Sequence, residues 1–587
     1  MATDAVQEAD THDPTDGMAR TMDHLAMSGI AQFTNSISPA TLAQACFDWM
    51  IHLGVAPGKR FQLAAKASRK LIRFMDYAAR RTGNEDVTPA IEPLPQDHRF
   101  DDPAWKQAPY DLVSQAFLLN QQWWHAATTG VPGVTRHHED ILSFTARQLL
   151  DMAAPTNCIA TNPVLQHKVM ETGGQCLVDG FHRFLEDMER QIRGEPPVGT
   201  ENFPVGDKVA TAPGKVVYRN ELMELIQYAP TTGTVRPEPI LFVPAWIMKY
   251  YILDLSPENS MVRWLTDQGF TVFMISWHNP EEKDRDTNLE DYLRTGPLDA
   301  LDAVCAITGA EAVHGAGYCL GGTLLSIAAA ELVHDGDTRL KSLTLFAAQT
   351  DFSEPGELGL FIDESQINLL DGAMWSRGYL DSGQMGGAFQ MLRSNDLVWS
   401  RMLNTYLMGE REEMIDLMAW NADGTRLPYA MHSEYLRRMY LDNELAKGRF
   451  RIDGHTVTLS ALRQPLFVVG TERDHVAPWR SVHKIHMLTE AEVTFVLANG
   501  GHNAGIVSEP GHNQRNYREL ARAAGEPAIN PDDWMMRAEK HGGSWWPAWA
   551  AWLAERSGEP VSPPSMGAPD KGYIPLCDAP GRYVLER

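Results

Sequence analysis

The sequence predicts an α/β fold with a doubly wound, mostly parallel sheet, an inserted helical cap and a helical N-terminal region. Three observations support this prediction. Up to about residue 200 the apolar residues recur at helical spacing. Beyond residue 205, short β-branched runs alternate with helix-length segments, the pattern of parallel strands with helical crossovers. Between residues 352 and 462 this alternation stops and helical patterns return, which indicates a cap inserted into the sheet domain.

The N-terminal 204 residues divide into two parts. Residues 1–30 are polar and acidic and show no apolar period, so they are predicted to be a mobile tail. Residues 31–204 are predicted to be helical, with patterns from residue 39 and over 61–81, 110–128, 137–152 and 162–194. In the first of these, Leu42, Cys46 and Met50 recur at intervals of four and define an apolar face together with Phe47, and in the second the apolar face is built on Leu63, Ile72 and Met75.

The remaining residues, 205–587, are predicted to form the α/β domain. Its strands are predicted from eight short runs, at 215–219, 222–228, 240–243, 270–276, 311–314, 343–346, 466–469 and 493–497. Segments long enough for helices lie between most of them, for example 288–308 and 322–333. Runs that are apolar throughout indicate strands buried on both faces, as in a parallel sheet covered by helices.

Composition excludes several classes of protein. The chain has 587 residues, 44% hydrophobic and 22% charged, which is typical of globular proteins. Its formal charge of −25 repels nucleic acid, so no nucleic-acid partner is predicted. No apolar stretch reaches the ~18 residues of a transmembrane segment. Six scattered cysteines without a C-x-x-C pair indicate a reducing, intracellular compartment and give no sign of a metal site.

The strongest local motif is GYCLGG at residues 317–322, which places Cys319 between a predicted strand and a predicted helix. This is the context of a nucleophile elbow of the G-x-S-x-G type, with Cys in place of Ser. The glycines allow strand and helix to approach closely, and the helix N-terminus favours a thiolate. A buried structural cysteine in a glycine-rich turn is the alternative, but the flanking elements favour the nucleophile.

A nucleophile elbow requires an acid after a later strand and a histidine after the last strand. Asp474 follows the predicted strand at 466–469, and His502 follows the one at 493–497. Both arrive in the required order behind Cys319. We therefore predict that these three residues form a catalytic triad.

Other residues compete for these roles. Glu472 is closer to its strand than Asp474 and could serve as the acid, whereas His475 is too near Asp474 in sequence to turn its ring onto it. Asp254 and Asp351 are further carboxylates. Asp254 is predicted to cap or pack a helix, whereas Asp351 lies at the start of the inserted cap and could serve as the acid only with a different strand assignment. An oxyanion hole needs two backbone N–H donors, one from the residue after the nucleophile and one from the loop after the third strand.

Those two donors are predicted to be Leu320 and Trp246. Trp246 lies in the PAWI segment at 244–247, directly after the predicted strand at 240–243.

Around these residues the sequence resembles the polyhydroxyalkanoate synthases, which have an α/β-hydrolase fold. The matching segments are LFVPAWIMKYYILDL (241–255), SWHNP (276–280), GYCLGGTLL (317–325), AWNADGTRLP (419–428) and GSWWPAW (543–549). The resemblance covers about residue 90 to the C-terminus, and the length is similar to that of the class I enzymes, which need no second type of subunit. Met248 and the HNAG segment at 502–505 depart from the usual family pattern.

The resemblance implies that the chain polymerises (R)-3-hydroxyacyl-coenzyme A, in particular the 3-hydroxybutyryl thioester, into a polyester and releases coenzyme A. Cys319 would hold the acyl group, His502 would act as general base, and Asp474 would fix the imidazole tautomer. The resemblance also implies a homodimer in the cytoplasm on the polyester granule. No cofactor or metal is expected beyond the coenzyme A thioester, which is the substrate.

Two other functions remain open at the level of sequence. One is a cysteine-type α/β hydrolase that opens esters or lactones with water, and the other is a granule scaffold without activity. A cluster of tryptophans near the C-terminus could bind polymer, although packing of a C-terminal helix is the favoured interpretation. These are Trp534, Trp545, Trp546, Trp549 and Trp552.

Overall fold

The computed structural model describes residues 14–34, 36–82, 87–392 and 398–587. The helices are α1 (Pro14–Phe33), α2 (Pro39–Gly54), α3 (Pro57–Arg81), α4 (Tyr110–Thr128), α5 (Arg136–Met152), α6 (Pro163–Glu171), α7 (Gln175–Arg193), α8 (Met261–Asp267), α9 (Leu289–Leu293), α10 (Asp299–Thr308), α11 (Leu320–His334), α12 (Glu364–Trp375), α13 (Ser382–Leu392), α14 (Asp416–Asn421), α15 (Tyr429–Tyr435), α16 (Trp479–Val482), α17 (Ile485–Leu488), α18 (Pro531–Arg537) and α19 (Trp546–Glu555).

The strands are β1 (Gly214–Arg219), β2 (Met223–Tyr228), β3 (Ile240–Val243), β4 (Val272–Trp277), β5 (Val313–Tyr318), β6 (Leu340–Phe346), β7 (Tyr379–Leu380), β8 (Leu427–Pro428), β9 (Arg451–Ile452), β10 (His455–Thr456), β11 (Leu466–Thr471), β12 (Val493–Ala498), β13 (Asn516–Arg522), β14 (Glu539–Gly542) and β15 (Cys577–Asp578).

One large sheet organises the domain, in the order β14-β13-β12-β11-β6-β5-β3-β4-β2-β1-β15. Its six central strands, from β12 to β4, are parallel, and the strands outside them are antiparallel. The chain runs from β3 to β4 on one side and then returns to β5 on the other side of β3. Ligands of open α/β sheets bind at the carboxyl ends of the strands beside such a reversal.

The predicted α/β fold is confirmed, and each of the eight predicted strands is present. The central strands β3, β4, β5, β11 and β12 are buried at every residue, which explains their continuous apolar runs. The strands of the large sheet that the sequence did not predict are β13, β14 and β15. They lie towards the two edges of this sheet and are partly exposed. Their polar sequences give no continuous apolar signal because they pack against little of the core.

The segment between β6 and β11, in which the cap is predicted, contributes no strand to the large sheet. Its described residues form α12 to α15, the short hairpin β9–β10, and a short antiparallel pairing of β7 with β8, which lie far apart in sequence. This segment is tied to the loop after β3, because Thr425 N–H donates to the carbonyl of Ile247 (3.1 Å). The indole of Trp420 donates to the carbonyl of Lys249 (2.7 Å) in the same way.

The C-terminal tryptophans pack inside the domain, as the favoured interpretation predicted. All five are buried, and three of them donate hydrogen bonds from their indole nitrogens. Trp545 donates to the carbonyl of Gly505 and Trp546 to that of Ile506, both at 3.0 Å. They therefore anchor the loop that follows His502.

The prediction of a mobile tail over residues 1–30 is wrong from residue 14 onwards, and residues 1–13 lie outside the described part. Helix α1 packs along α12 of the cap, with the ring of His24 stacked on that of Trp375 at 5.2 Å. Helices with a weak apolar pattern gain most of their stability from tertiary packing, which local sequence does not reveal. None of the helices in the described ranges is long and apolar enough to cross a bilayer.

The contact between α1 and α12 can be tested at Gly372, where an added Cβ would lie 2.3 Å from the Cβ of Met27. We expect Gly372→Ala to lower the free energy of unfolding by about 1–3 kcal/mol and to expose α1 to protease, because overpacking separates the helices. Gly58→Ala is the control, since a Cβ there meets nothing within 4 Å. A Gly372→Ala variant with wild-type stability and a protected α1 would show that α12 does not hold α1.

Candidate active site

Cys319 occupies the turn between β5 and α11. Its backbone has φ 52° and ψ −122°, a region that non-glycine residues rarely adopt and that is typical of a nucleophile elbow. The turn is held by hydrogen bonds from Cys319 N–H to the carbonyl of Phe346 (2.8 Å) and from Gly322 N–H to the carbonyl of Cys319 (2.9 Å). The strained turn is therefore fixed by the neighbouring strand and by the first turn of the helix.

The glycines of the GYCLGG motif are required by close backbone contacts. A Cβ on Gly317 would lie 2.4 Å from the Cα of Gly322, and one on Gly322 would lie 2.5 Å from the Cβ of Ala348. A Cβ on Gly321 would lie 2.0 Å from the carbonyl oxygen of Val243. The last contact shows that the N-terminus of α11 lies directly against the end of β3.

His502 and Asp474 form a hydrogen-bonded pair beside this turn. The Nδ1–H of His502 donates to Oδ2 of Asp474 at 2.7 Å. The same carboxylate accepts from the hydroxyl of Thr471 (3.0 Å) and from the backbone N–H groups of Val476 (2.9 Å) and Ala477 (2.8 Å). With only 8% of its surface exposed, Asp474 is thus fully paired and held in one orientation.

The charges of the pair stabilise each other. Burial alone would raise the pKa of Asp474, but the charge and hydrogen bond of His502 and two backbone N–H donors hold that pKa below its ordinary value. Burial would lower the pKa of His502, yet Asp474 and Cys319 together keep that pKa well above its ordinary value. Cys319 thus lies close enough to His502 to contribute to this raised pKa. The three residues of the predicted triad therefore meet, in the order thiol, imidazole, carboxylate.

The competing carboxylates do not contact His502. Glu472 is exposed to solvent. Asp254 accepts hydrogen bonds from Ser260 (2.6 Å) near the start of α8, and burial raises its pKa to about 6. Asp351 accepts from Asn443 (3.0 Å) and from Ser353 in its own loop. No cluster of three or more His, Cys, Asp or Glu side chains suited to a metal ion occurs in the described ranges.

The two predicted oxyanion donors lie on either side of Cys319. Leu320 and Trp246 line the same cavity as the thiol, and within the described chain neither backbone N–H donates a hydrogen bond. The loop that carries Trp246 is fixed, because the indole of Trp277 donates to the carbonyl of Pro244 (2.9 Å). The two amides are therefore free to bind an oxyanion.

A cavity of about 80 Å³ extends from Cys319 towards the cap. Its wall is mainly apolar, and beside the thiol its polar members are Thr323, Gln349, His432, Tyr435 and Tyr440. The apolar cap side chains are Phe352, Leu358, Ile362, Met385 and Leu436. No pattern in the sequence identifies these residues as cavity residues, because they belong to a segment whose position over Cys319 depends on tertiary packing.

Two further residues support the histidine. The hydroxyl of Tyr318 donates to Oδ1 of Asn503 at 2.6 Å, and the Tyr318 ring lies 5.6 Å from that of His502. Tyr318 directly precedes Cys319 in the sequence, and Asn503 directly follows His502. This adjacency is the signal from which the sequence alone could have identified them. The pair links the strand that carries the thiol to the loop that carries the histidine.

A cysteine elbow with a buried acid–base pair at the carboxyl edge of a mostly parallel sheet defines an α/β-hydrolase-type site. In agreement, a family model described as alpha/beta hydrolase fold matches residues 238–509. Two further models cover the N-terminal half. "Poly-beta-hydroxybutyrate polymerase (PhaC) N-terminus" matches residues 96–265, and "Poly-beta-hydroxybutyrate polymerase N terminal" matches residues 17–59.

The chain belongs to the poly(3-hydroxyalkanoate) polymerase family. It is 40% identical to the poly(3-hydroxyalkanoate) polymerase of Methylorubrum extorquens, over 90% of this chain and 87% of the relative. Identity to the polymerase subunit PhaC of Rhizobium meliloti is 38%, over 84% and 80% of the two chains. Identity to the polymerase subunit PhaC of Cupriavidus necator is 36%, over 85% of each of the two chains. The resemblance predicted from residue 90 onwards is confirmed, and it begins earlier, near residue 17.

The His502–Asp474 pair should stabilise the fold in a limited pH window. The lowered pKa of Asp474 adds stability that is lost as the pH falls below about 4, and the raised pKa of His502 adds stability that is lost as the pH rises above about 6.5. Asp474→Asn should therefore lower the free energy of unfolding most between these values, by about 1–3 kcal/mol. Urea unfolding across this range measures the difference, with the exposed-site variant Glu472→Gln as control. An equal loss of unfolding free energy at pH 8.5 and at pH 5.5 would contradict the assignment of Asp474 and His502 as a charged pair.

Proposed function

We propose that the chain polymerises (R)-3-hydroxyacyl-coenzyme A into a polyester, with release of coenzyme A, through a covalent thioester on Cys319. One observation carries this proposal. The Cys319 thiol lies on a strained elbow, in contact with the His502–Asp474 pair and at the end of a small cavity, in a member of the polymerase family.

In the acylation step, the proton of the Cys319 thiol resides on His502, in keeping with the raised pKa of that imidazole, and the thiolate attacks the thioester carbonyl of the substrate. The backbone N–H groups of Leu320 and Trp246 bind the resulting oxyanion. The carbon–sulfur bond to coenzyme A then breaks, and its thiolate receives the proton from His502. Exchange of one thioester for another is nearly energy-neutral, so the enzyme-bound acyl group remains reactive.

In the elongation step, a 3-hydroxyl group attacks the acyl carbonyl on Cys319. His502 accepts the hydroxyl proton and the ester bond forms. The Cys319 thiolate then leaves and recovers this proton from His502. Asp474 keeps Nδ1 of His502 protonated, so that Nε2 faces the reacting groups. No cofactor is required in either step.

The size of the cavity supports a short acyl group such as 3-hydroxybutyryl. A buried water needs about 10–15 Å³ on the same measure, so about 80 Å³ holds roughly five to eight small groups. The 3-hydroxybutyryl group has about six non-hydrogen atoms. A hydrolase with the same triad would have to admit water to a wall built largely of apolar cap side chains, and the family match does not favour it.

The covalent role of Cys319 is tested by incubating the purified protein with (R)-3-hydroxybutyryl-coenzyme A. Wild type should release thiol and form insoluble polymer, and Cys319→Ala should lose both by at least about a thousandfold while remaining folded. Cys305→Ala, at a half-buried position outside the cavity, is the control. Thiol release with free acid would instead identify a hydrolase, and no release by wild type would identify a scaffold.

The N-terminal helices supply a candidate surface for the polymer and for a second subunit. The apolar face predicted on α2 and α3 is only partly buried, because Leu63 is buried while Phe47 and Met50 are 61% and 54% exposed. Ile72 and Met75 on α3 are also exposed, and α7 presents a second exposed strip. Its members are Val178, Phe181, Leu185, Met188 and Ile192. Exposed apolar strips of this extent indicate an interaction surface.

We therefore extend the proposal to a homodimer that works in the cytoplasm on its polyester granule. Phe47→Ser combined with Met50→Ser should reduce pelleting with polymer or shift sedimentation towards the monomer, because it removes apolar area from α2. Met487→Ser combined with Met536→Ser is the matched control, since both methionines are exposed on the catalytic domain. If the α2 variant pellets and sediments as the control does, this face has neither role.

A further inference from the structure

The cavity beside Cys319 contains polar side chains that the proposed mechanism does not use. Gln349, His432 and Tyr435 are each nine-tenths or more buried and line the same apolar cavity. Nε2 of Gln349 has no hydrogen-bond partner within the described chain. Buried polar groups are nearly always paired, so such a group in a cavity wall points to a ligand.

His432 is the best placed of the three to meet a ligand. It lies on α15 of the cap with 4% of its surface exposed, and its side chain makes no hydrogen bond or ion pair with a described residue. Gln349 Nε2 and the Tyr435 hydroxyl are sealed by protein atoms, whereas the His432 nitrogens are not among these sealed atoms. The imidazole therefore contributes open hydrogen-bonding capacity to an otherwise apolar wall.

The protonation state of His432 is also suited to binding a hydroxyl group. Burial lowers the pKa of His432 to about 4, and no charged group opposes this effect. At neutral pH the ring is therefore uncharged, with one nitrogen that donates and one that accepts. A hydroxyl group likewise donates and accepts one hydrogen bond at little cost in desolvation.

We propose that His432 binds the 3-hydroxyl of the acyl group on Cys319 and so makes the enzyme select 3-hydroxyacyl over unsubstituted acyl thioesters. This inference rests on the proposed function. The thioester carbonyl is directed to the backbone N–H groups of Leu320 and Trp246. In a short 3-hydroxyacyl group the hydroxyl is the one polar group that remains.

His502 is not available for this recognition, because Asp474 engages its Nδ1 and proton transfer to and from the reacting groups occupies its Nε2. His432 approaches from the cap instead, so binding and proton transfer fall to different histidines. A substrate without the hydroxyl would leave the His432 imidazole desolvated and unpaired. Sites that hydrogen-bond a substrate hydroxyl reject analogues that lack it for this reason.

The test compares the first acylation of Cys319 by (R)-3-hydroxybutyryl-coenzyme A and by butyryl-coenzyme A, followed by rapid quench and intact-protein mass spectrometry. Wild type should prefer the hydroxylated thioester by at least about tenfold. His432→Leu should bring this ratio close to one while the butyryl rate stays within about threefold, and His432→Gln should restore part of the ratio. His486→Leu is the matched control, since His486 is a buried, unpartnered histidine outside the cavity.

The outcomes separate the two proposals. If wild type is not acylated at Cys319 or makes no polymer, the proposed function is wrong. If wild type is acylated and makes polymer but His432→Leu keeps the wild-type ratio, the role of His432 alone is overturned. Should His432→Leu fail to fold, His432→Phe gives the same reading, because it fills a similar volume without a hydrogen-bonding atom.

Discussion

The site depends on the steric constraint at the turn between β5 and α11. Cys319 adopts a positive φ because the chain must reverse from strand to helix within one residue. That reversal is sterically allowed only where neighbouring residues lack a Cβ, as at Gly317 and Gly321. The same contacts bring α11 against the end of β3, so the thiol and both candidate oxyanion donors are placed by one packing arrangement.

The histidine and acid are positioned by a separate set of contacts. Asp474 is oriented by its own loop, whose backbone N–H groups and Thr471 hydroxyl bind the carboxylate. The loop after His502 is anchored by the indoles of Trp545 and Trp546. Because these anchors lie on buried elements, the imidazole keeps its orientation without any contribution from substrate.

The cap connects the site to the N-terminal helices. It supplies about half of the cavity wall, and α1 and α2 pack on its helix α12. Two hydrogen bonds fix the start of α2 there, from Ser38 N–H to the side chain of Gln366 (2.8 Å) and from the Thr41 hydroxyl to Asp363 (2.9 Å). The N-terminal helices α1 and α2 therefore pack against the segment that bounds the cavity.

The sequence by itself determined the parallel core, the elbow and the pairing of His502 with Asp474. Fully buried strands require continuous apolar runs, and strand order brings the residues that follow them to one edge of the sheet. Only the tertiary structure decided that residues 14–33 form a helix, that β13 to β15 extend the sheet, and that His432 faces the cavity. These features arise from contacts between segments far apart in sequence, such as α1 with α12, and such contacts leave no periodic pattern in either segment alone.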